Sequence, residues 1–443
     1  MTKSRWIVVA AAIVLVGLAG AMAIARLGDA RTGNSVMAEP RESSEIIARG
    51  AYLASMGDCA ACHSVPGKPA FSGGLRMAIP IGAIYTTNIT PDPINGIGNF
   101  TLADFDRALR FGVADGHTLY PAMPFTSYAN TRPEDVEALY AYFKYGVSPA
   151  SVPNRANDVV FPLSMRWPLT YWRWIFAPTP RPFAAAEGAD PAIARGEYFV
   201  DGLGHCGECH TPRAITMQMK ATSVADGTDY LSGAVIEGYF APSLRSGGKG
   251  TLADWNIADV AEFLRTGTNS RGTAFGSMTD VIAHSTQHMK PDDAIDTAKY
   301  LKSVVDQGVA QARFAYDQAT DAKLRTGADQ ARGARLYLDN CAACHRPDGK
   351  GYDRVFPPLA GNPVVLATNP DSVISVVLKG AMTPRTAPTP AQFAMPSFAW
   401  RLSDQDVADV ATFLRRSWGN DATEVDAAAV SALRPPALAQ TSR

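Results

Sequence analysis

The motif Cys-x-x-Cys-His occurs three times in this sequence, beginning at Cys59, Cys206 and Cys341. These cysteines are 147 and 135 residues apart along the chain, and the three motifs use all six cysteines. The motif is typical of c-type haem attachment, in which both thiols form thioethers with the haem and the adjacent histidine binds the iron. A structural zinc ion needs four ligands around one ion, and a thioredoxin-like pair does not need the histidine. The sequence therefore predicts three covalently bound haem c groups, attached through Cys59, Cys62, Cys206, Cys209, Cys341 and Cys344, with His63, His210 and His345 as iron ligands.

Each motif follows a similar lead-in. The run Ala-Arg-Gly occurs at 48–50, 194–196 and 331–333, and its glycine lies 9, 10 and 8 residues before the first cysteine. We predict that each lead-in is a short helix whose end delivers the haem motif. Self-similarity on this scale indicates a domain that is repeated three times.

The segments after each motif also correspond. A loop containing Pro or Asn (84–89, 240–244, 356–361) precedes a middle helix that opens at Thr101, Thr251 or Asp371 and stops at Gly112, Gly267 or Gly380. A last amphipathic helix then begins near Thr131 and Pro133, at Pro291, and after the N-cap Ser403. Very little of the chain alternates as a strand would. The predicted fold class is all-α, with three tandem class I cytochrome c-like haem domains and an N-terminal hydrophobic helix.

The length of 443 residues agrees with about three domains. We predict an N-terminal anchor or signal peptide, three cytochrome c domains, an aromatic and Pro-rich linker after the first domain, and a flexible tail. In order, these segments are 1–30, 40–150 (first domain), 151–187 (linker), 188–310 (second domain), 325–420 (third domain) and 421–443 (tail).

The N-terminus carries an uncharged run of 20 residues, from Trp6 to Ala25, after Lys3 and Arg5. A cleaved signal peptide is one interpretation, with small-residue cleavage sites at 21–23 or 23–25. The run is also long enough to span a bilayer, and the basic residues before it place the N-terminus inside. On length we favour a retained anchor, which puts the rest of the chain at the periplasmic face of the inner membrane.

The sixth iron ligand decides what a haem can do, because a methionine there closes the site and suits electron transfer, whereas an open site allows peroxide or oxygen chemistry. One methionine in each repeat lies between the middle and last helices, 60, 68 and 50 residues after the histidine. These predicted ligands are Met123, Met278 and Met395. For the second haem, Met289 lies nearby, and a histidine ligand (His284 or His288) stays open as an alternative. His117 and His205 are interpreted as surface or packing residues.

The chain carries 41 basic and 42 acidic residues, which argues against a nucleic-acid partner. No flavin or nicotinamide fingerprint is present, so substrate oxidation would take place in another chain. Trp167, Trp172 and Trp174 form a second candidate site, either a packed seam between the first two haem domains or a functional surface for the membrane, a quinone or a partner.

Several further runs are specific: Asn-Ile-Thr-Pro-Asp at 88–92, Leu-Tyr-Pro-Ala-Met-Pro at 119–124, Met-Arg-Trp-Pro-Leu at 165–169, Gly-His-Cys-Gly at 204–207 and Pro-Pro-Leu-Ala-Gly-Asn-Pro at 357–363. With them, residues 45–420 resemble the three-haem cytochrome c subunit of the membrane-bound periplasmic dehydrogenases of acetic acid bacteria and their relatives. The resemblance implies electron transfer from a catalytic dehydrogenase subunit to ubiquinone in the membrane, with the haem-attaching cysteines and iron ligands on the twelve residues named above. We favour an alcohol or aldehyde dehydrogenase as the partner, with sugar and polyol dehydrogenases open. The alternatives are a haem enzyme in its own right, of the peroxidase or thiosulfate oxidoreductase type, and an anchored periplasmic electron shuttle.

Overall fold

The structure is a computed structural model that describes residues 3–33, 38–248, 250–306 and 313–435. It divides into two compact units, the first comprising 1–184 and 202–205 and the second comprising 185–201 and 206–443. The described residues are mostly helical, as predicted, and they also form four small antiparallel sheets that the all-α prediction did not include.

The first unit contains seven α-helices and five short strands among its described residues. The helices are α1 (Lys3–Arg31), α2 (Ser44–Met56), α3 (Cys59–His63), α4 (Leu102–Phe111), α5 (Phe125–Tyr128), α6 (Pro133–Ala141) and α7 (Trp167–Phe176). The strands are β1 (Arg76–Ile79), β2 (Gly82–Tyr85), β3 (Val113–Ala114), β4 (His117–Thr118) and β5 (Asp158–Val159). Strands β1, β2 and β5 form one sheet in which Met77 lies opposite Ile84, and β3 pairs with β4.

The second unit contains twelve α-helices and four short strands among its described residues. The helices are α8 (Pro191–Tyr198), α9 (Gly207–His210), α10 (Ile257–Thr266), α11 (Met278–His284), α12 (Pro291–Ser303), α13 (Ala319–Thr326), α14 (Arg332–Asn340), α15 (Ala342–His345), α16 (Pro363–Leu366), α17 (Asp371–Lys379), α18 (Asp404–Arg416) and α19 (Ala427–Leu433). Strand β6 (Ala234–Ile236) pairs with β7 (Tyr239–Ala241), and β8 (Ala381–Met382) pairs with β9 (Ala394–Met395).

The glycine of each lead-in lies where the first helix of a repeat crosses the last one. A Cβ atom added to Gly50, Gly196 or Gly333 would come within 1.9, 2.1 and 2.3 Å of a backbone oxygen on the facing helix. Each would also meet the Cβ of an aromatic residue four positions further along that helix, in turn Tyr142, Tyr300 and Phe413. Only glycine lets two backbones approach so closely. The pairs α2 with α6, α8 with α12 and α14 with α18 therefore pack in the same way.

The arginine before each of these glycines binds an aspartate on the last helix. Arg49 lies 2.6 Å from Asp135, and Arg195 lies 2.9 Å from Asp293. The third repeat has the equivalent hydrogen bond from the Arg332 Nε atom to Asp406, at 2.9 Å. The aspartates are largely covered but the arginines are one-third to two-thirds exposed, so each pair stabilises the crossing only modestly. Its main effect is to fix the register of the two helices.

The caps show which predicted helix starts were right. Thr101 forms a capping box with Asp104 at the start of α4, and Ser403 forms one with Asp406 at the start of α18. The predicted helix start at Thr251 is wrong: residues 252–254 form one 3₁₀ turn, and α10 begins at Ile257 after its own capping box on Asn256. Because Asn256 is a stronger cap, the run Thr-Leu-Ala-Asp at 251–254 does not start the α-helix, whereas the same run at 101–104 does.

The third repeat surrounds its own hydrophobic core. Tyr337, Ile374, Val407 and Trp418 are all buried within it. The predicted flexible tail differs from the structure over residues 427–433, which form α19 and bury Val430 against this core. The remainder of that prediction, from residue 436 onwards, lies outside the described residues.

Helix α1 is joined to the rest of the first unit by a buried polar cluster. The Asp29 carboxylate accepts hydrogen bonds from Arg173 Nη2 (3.0 Å), Thr170 Oγ1 (2.8 Å) and the Thr118 backbone amide (3.1 Å). Asp29 is 3% exposed and Arg173 is 8% exposed. The segment predicted as a linker thus contains both β5 and α7, and α7 packs against α1.

Candidate haem sites

The first Cys-x-x-Cys-His motif forms the one-turn helix α3, directly after the lead-in helix α2. Its histidine is held by the loop that follows β2, because Nδ1 of His63 lies 2.7 Å from the Thr87 carbonyl oxygen. A ring nitrogen that donates to a carbonyl fixes the tautomer and leaves the other nitrogen, Nε2, with its lone pair free for a metal.

The second and third motifs repeat this arrangement. Nδ1 of His210 lies 2.7 Å from the Pro242 carbonyl oxygen, and Nδ1 of His345 lies 2.9 Å from that of Pro357. The three acceptors belong to the corresponding loops singled out in the sequence, 84–89, 240–244 and 356–361. Sequence reasoning identified those loops but missed that each one orients a histidine. The correspondence of the three loops was visible in the sequence, but it did not indicate which backbone oxygen would accept the hydrogen bond.

Burial lowers the pKa of all three histidines, which keeps each imidazole neutral, the form that binds iron. It also raises the pKa of Cys59, Cys206 and Cys341 to about 12. The six sulfurs are not joined in disulfides. Half-buried cysteine pairs beside an imidazole with one free nitrogen fit a covalently attached haem c, which would supply a one-electron Fe(III)/Fe(II) couple at each motif.

The three predicted methionine ligands are all half-buried, in corresponding parts of their repeats. Met123 lies between β4 and α5, Met278 is the first residue of α11, and Met395 is in β9. Their coordination of iron stays a prediction. A competing methionine in the second repeat, Met289, is 7% exposed and its sulfur accepts a hydrogen bond from Thr297 at 3.8 Å, which is typical of a core residue.

The acceptor loop of the second repeat is fastened to the third repeat within the second unit. Strand β7 ends one residue before Pro242, and its Phe240 exchanges two hydrogen bonds of 2.9 Å with the Ser372 hydroxyl on α17. Lys379 of α17 lies 4.5 Å from the ring centre of Tyr239. The element that positions His210 is therefore held from both repeats.

The tryptophan cluster is packed against α1 and against the loop of the first predicted methionine. Trp172 contacts Phe125 edge to face, two residues after Met123, with ring centres 6.4 Å apart. The hydroxyl of Tyr171 donates to the Ala21 carbonyl oxygen at 2.9 Å. Trp174 is 44% exposed. The cluster thus connects the N-terminal helix to the first candidate haem site.

The three histidines share one geometry, with Nδ1 bonded to a loop carbonyl oxygen, and each follows a Cys-x-x-Cys pair in a helical repeat. These features define a c-type cytochrome. The comparisons with known proteins agree. The cytochrome c family model matches residues 330–418. The cytochrome c subunit of alcohol dehydrogenase (quinone) from Gluconacetobacter polyoxogenes is 47% identical over 406 residues, which cover 91% of this chain and 87% of the relative.

Two further relatives cover the chain to a similar extent. The gluconate 2-dehydrogenase cytochrome c subunit of Pantoea cypripedii is 48% identical over 90% of this chain and 92% of its own length. The fructose dehydrogenase cytochrome subunit of Gluconobacter japonicus is 35% identical over 91% of this chain and 86% of its own length. The chain belongs to the family of cytochrome c subunits of membrane-bound dehydrogenases, as its sequence motifs had indicated.

Proposed function

We propose that this chain is the three-haem electron-transfer subunit of a membrane-bound dehydrogenase complex, passing electrons from a catalytic subunit to ubiquinone. The observation that carries the proposal is the threefold repetition of one histidine geometry, with Nδ1 2.7–2.9 Å from a loop carbonyl. The relatives named for alcohol dehydrogenase (quinone) support the quinone as acceptor. The domain arrangement we propose is three tandem class I cytochrome c domains.

In this proposal the three cysteine pairs would hold the haems covalently, and the three histidines would bind the irons. Met123, Met278 and Met395 would supply the remaining ligand at each iron, which suits electron transfer rather than oxygen or peroxide chemistry. The protein's own contribution is to orient each imidazole through the backbone carbonyls of Thr87, Pro242 and Pro357. Such sites store and release single electrons without bond chemistry at the metal.

We further propose that α1 is retained as a membrane anchor, with the haem domains on the periplasmic face of the inner membrane. The helix is long and apolar enough to span a bilayer between Arg5 and Arg31. Both candidate cleavage sites lie inside this continuous helix, and Ala25 is fully buried. The Asp29 cluster and the Tyr171–Ala21 hydrogen bond give α1 specific partners in the folded first unit, which a discarded signal peptide would not need.

The proposal also includes the catalytic partner. Relatives from alcohol and gluconate dehydrogenases are equally similar to this chain, at 47% and 48% identity. We favour an alcohol or aldehyde dehydrogenase. Copurification from solubilised membranes, followed by identification of the partner's organic cofactor and substrate, tests this choice directly.

The electron-transfer role is tested on the purified full-length protein. The pyridine haemochrome assay should give three haems per chain, and replacing Cys206 and Cys209 by alanine should reduce the count to two. The ferric spectrum should be low-spin, and the reduced protein should be oxidised by a short-chain ubiquinone. A high-spin ferric component that reacts rapidly with peroxide in the wild-type protein would contradict the proposal and favour a haem enzyme.

A further inference from the structure

One face of α1 forms the wall of a groove in the first unit. The groove has a volume of about 630 Å³, within the range of small-molecule sites. Its lining comes from two places, the last part of the apolar helix and the start of α7 with the residues before it. The lining residues are Leu18, Ala19, Met22, Ala23, Arg26 and Leu27 of α1, together with Met165 and Trp167. The α1 positions recur at the three- and four-residue spacing of a single helix face.

The groove lies along the helix that is long and apolar enough to span a bilayer. The α1 side chains on the other faces are largely exposed and apolar, among them Val16 at 73% and Ile24 at 57%. Arg26 is the charged residue in the lining and marks the end of the uncharged run. A ligand in the groove would therefore lie at the edge of the hydrocarbon region, with its apolar part along Leu18 and Met22 and its polar part near Arg26.

The wall opposite α1 continues directly to the loop of the first predicted haem methionine. Arg166, between Met165 and Trp167, places its guanidinium 4.4 Å from the ring centre of Tyr120 and donates a hydrogen bond to the Thr118 carbonyl oxygen. Tyr120 precedes Met123 by three residues, and its carbonyl accepts the Met123 amide at 3.0 Å. Two consecutive side-chain and backbone contacts thus separate the groove wall from the predicted axial ligand.

The polar group that lies open to the groove is the Arg26 guanidinium, because Arg26 is exposed and belongs to the lining. A guanidinium donates hydrogen bonds and accepts none. Trp167 contributes its ring to the lining, while its indole nitrogen is buried away from solvent. The groove therefore favours a ligand with a flat apolar ring that packs on Trp167 and with acceptor oxygens that reach Arg26.

We propose that this groove binds the ring of a membrane quinone, with its isoprenoid chain along the Leu18–Met22 face of α1, next to the first haem site. The inference rests on the proposed function, since it locates the acceptor of the relay. Reduction of a bound quinone to quinol would take two electrons, one from each of two ferrous haems, and two protons from water. Arg26 is the residue that would donate a hydrogen bond to a quinone oxygen, and the Trp167 ring would pack against the quinone ring.

The first test measures binding without turnover. The oxidised full-length holoprotein in phosphatidylcholine nanodiscs is irradiated with a photoreactive azido-ubiquinone, with and without excess decylubiquinone, and the labelled peptides are identified by mass spectrometry. We expect competable label within 18–27 or 165–167. The groove-filling variant Ala19→Trp should lose at least nine-tenths of it. The matched control Ile24→Trp places the same side chain on another face of α1 and should keep it.

A second variant, Arg26→Leu, retains an apolar side chain in the lining but removes the guanidinium. The concentration of decylubiquinone that halves the labelling should rise about tenfold, the effect of one lost hydrogen bond. A parallel arm uses a photoreactive acyl phosphatidylcholine. If that lipid labels the groove and decylubiquinone does not compete, the occupant is a lipid chain and the proposal is wrong. Equal labelling of Ala19→Trp and Ile24→Trp would also overturn it.

The rate of electron transfer separates this inference from the proposed function. Reduced protein is mixed with decylubiquinone or with ferricyanide, and haem oxidation is followed at the α-band. The ratio of the quinone rate to the ferricyanide rate should fall at least tenfold in Ala19→Trp relative to Ile24→Trp. If wild-type protein reduces ferricyanide but no quinone, the proposed acceptor is wrong and this site with it. If all variants reduce quinone equally, the proposed function stands and only the location is wrong.

Discussion

The substitution Gly333→Ala tests whether the close helix crossing is a structural requirement. The new Cβ would lie 2.3 Å from the Asp409 carbonyl oxygen and 2.8 Å from the Phe413 Cβ, whereas ordinary contacts need more than 3 Å. The two helices would have to move apart by about 1 Å across a close-packed core, because backbone atoms cannot rotate away. Overpacking of this kind costs about 3 kcal/mol at the upper end of its range, and alanine recovers about 1 kcal/mol through its helix propensity.

The expected net loss is about 2 kcal/mol, which corresponds to about a 30-fold change in an equilibrium constant. Hydrogen exchange with mass spectrometry on the holoprotein resolves this locally, since the protection of each peptide reports its own opening. Protection in α14 and α18 should fall about 30-fold, while peptides of the first unit serve as an internal reference. Arg335→Ala, at an exposed position of the same helix, is the control and should change protection less than threefold. Unchanged protection in Gly333→Ala would refute the reasoning.

Three further predictions concern buried polar groups and ligands. Asp29→Asn removes the carboxylate beside buried Arg173 and should destabilise the attachment of α1 by about 3–5 kcal/mol, which would appear as faster tryptic cleavage within α1. Adding Arg173→Met should restore resistance to trypsin, because replacing both members of a buried ion pair changes stability little. Burial raises the pKa of Asp201 to about 7 against the opposing effect of two tyrosine hydroxyls, so the folded state binds the extra proton. Stability should therefore fall as pH rises from about 4 to 7, and Asp201→Asn should flatten that decline in denaturant titrations; a parallel decline in both proteins would contradict the assignment. Met278→Ala should convert one haem to a high-spin ferric form in the electron paramagnetic resonance spectrum. Met289→Ala should lower stability and leave the spectrum low-spin. The reverse result would make Met289 the iron ligand and Met278 the core residue.

The sequence predicted those parts of the fold that are specified by local chemistry. The capping boxes at Thr101 and Ser403 and the glycine stops at Gly112 and Gly267 follow from rules that act over a few residues, and the structure confirms them. The start predicted at Thr251 failed because a second cap, at Asn256, lies five residues further on. Asn256 is the stronger cap, and a prediction based on the repeated Thr-Leu-Ala-Asp run did not compare the two caps.

The parts that the sequence did not predict depend on long-range contacts. Asp29 is separated by 144 residues from Arg173, and nothing local in either segment indicates that they form a buried pair. The carbonyl acceptors Thr87, Pro242 and Pro357 carry no side-chain signal at all, because a backbone oxygen can belong to any residue. The cysteines and histidines of the candidate sites were identified in the sequence because the haem-attachment motif has fixed spacing, and their roles as haem ligands are predictions too. The methionine ligands, which need only proximity, stay predictions.

The hydrogen bonds between Phe240 and Ser372 bear on the kinetics of electron transfer in the second unit. Tunnelling between two redox centres slows exponentially with their separation, so any motion that varies this separation makes the transfer rate fluctuate. A strand of the second repeat that is fastened to a helix of the third makes these two repeats move together. Electron transfer between the redox centres of the second and third repeats should then follow a single rate constant that does not depend on solvent viscosity.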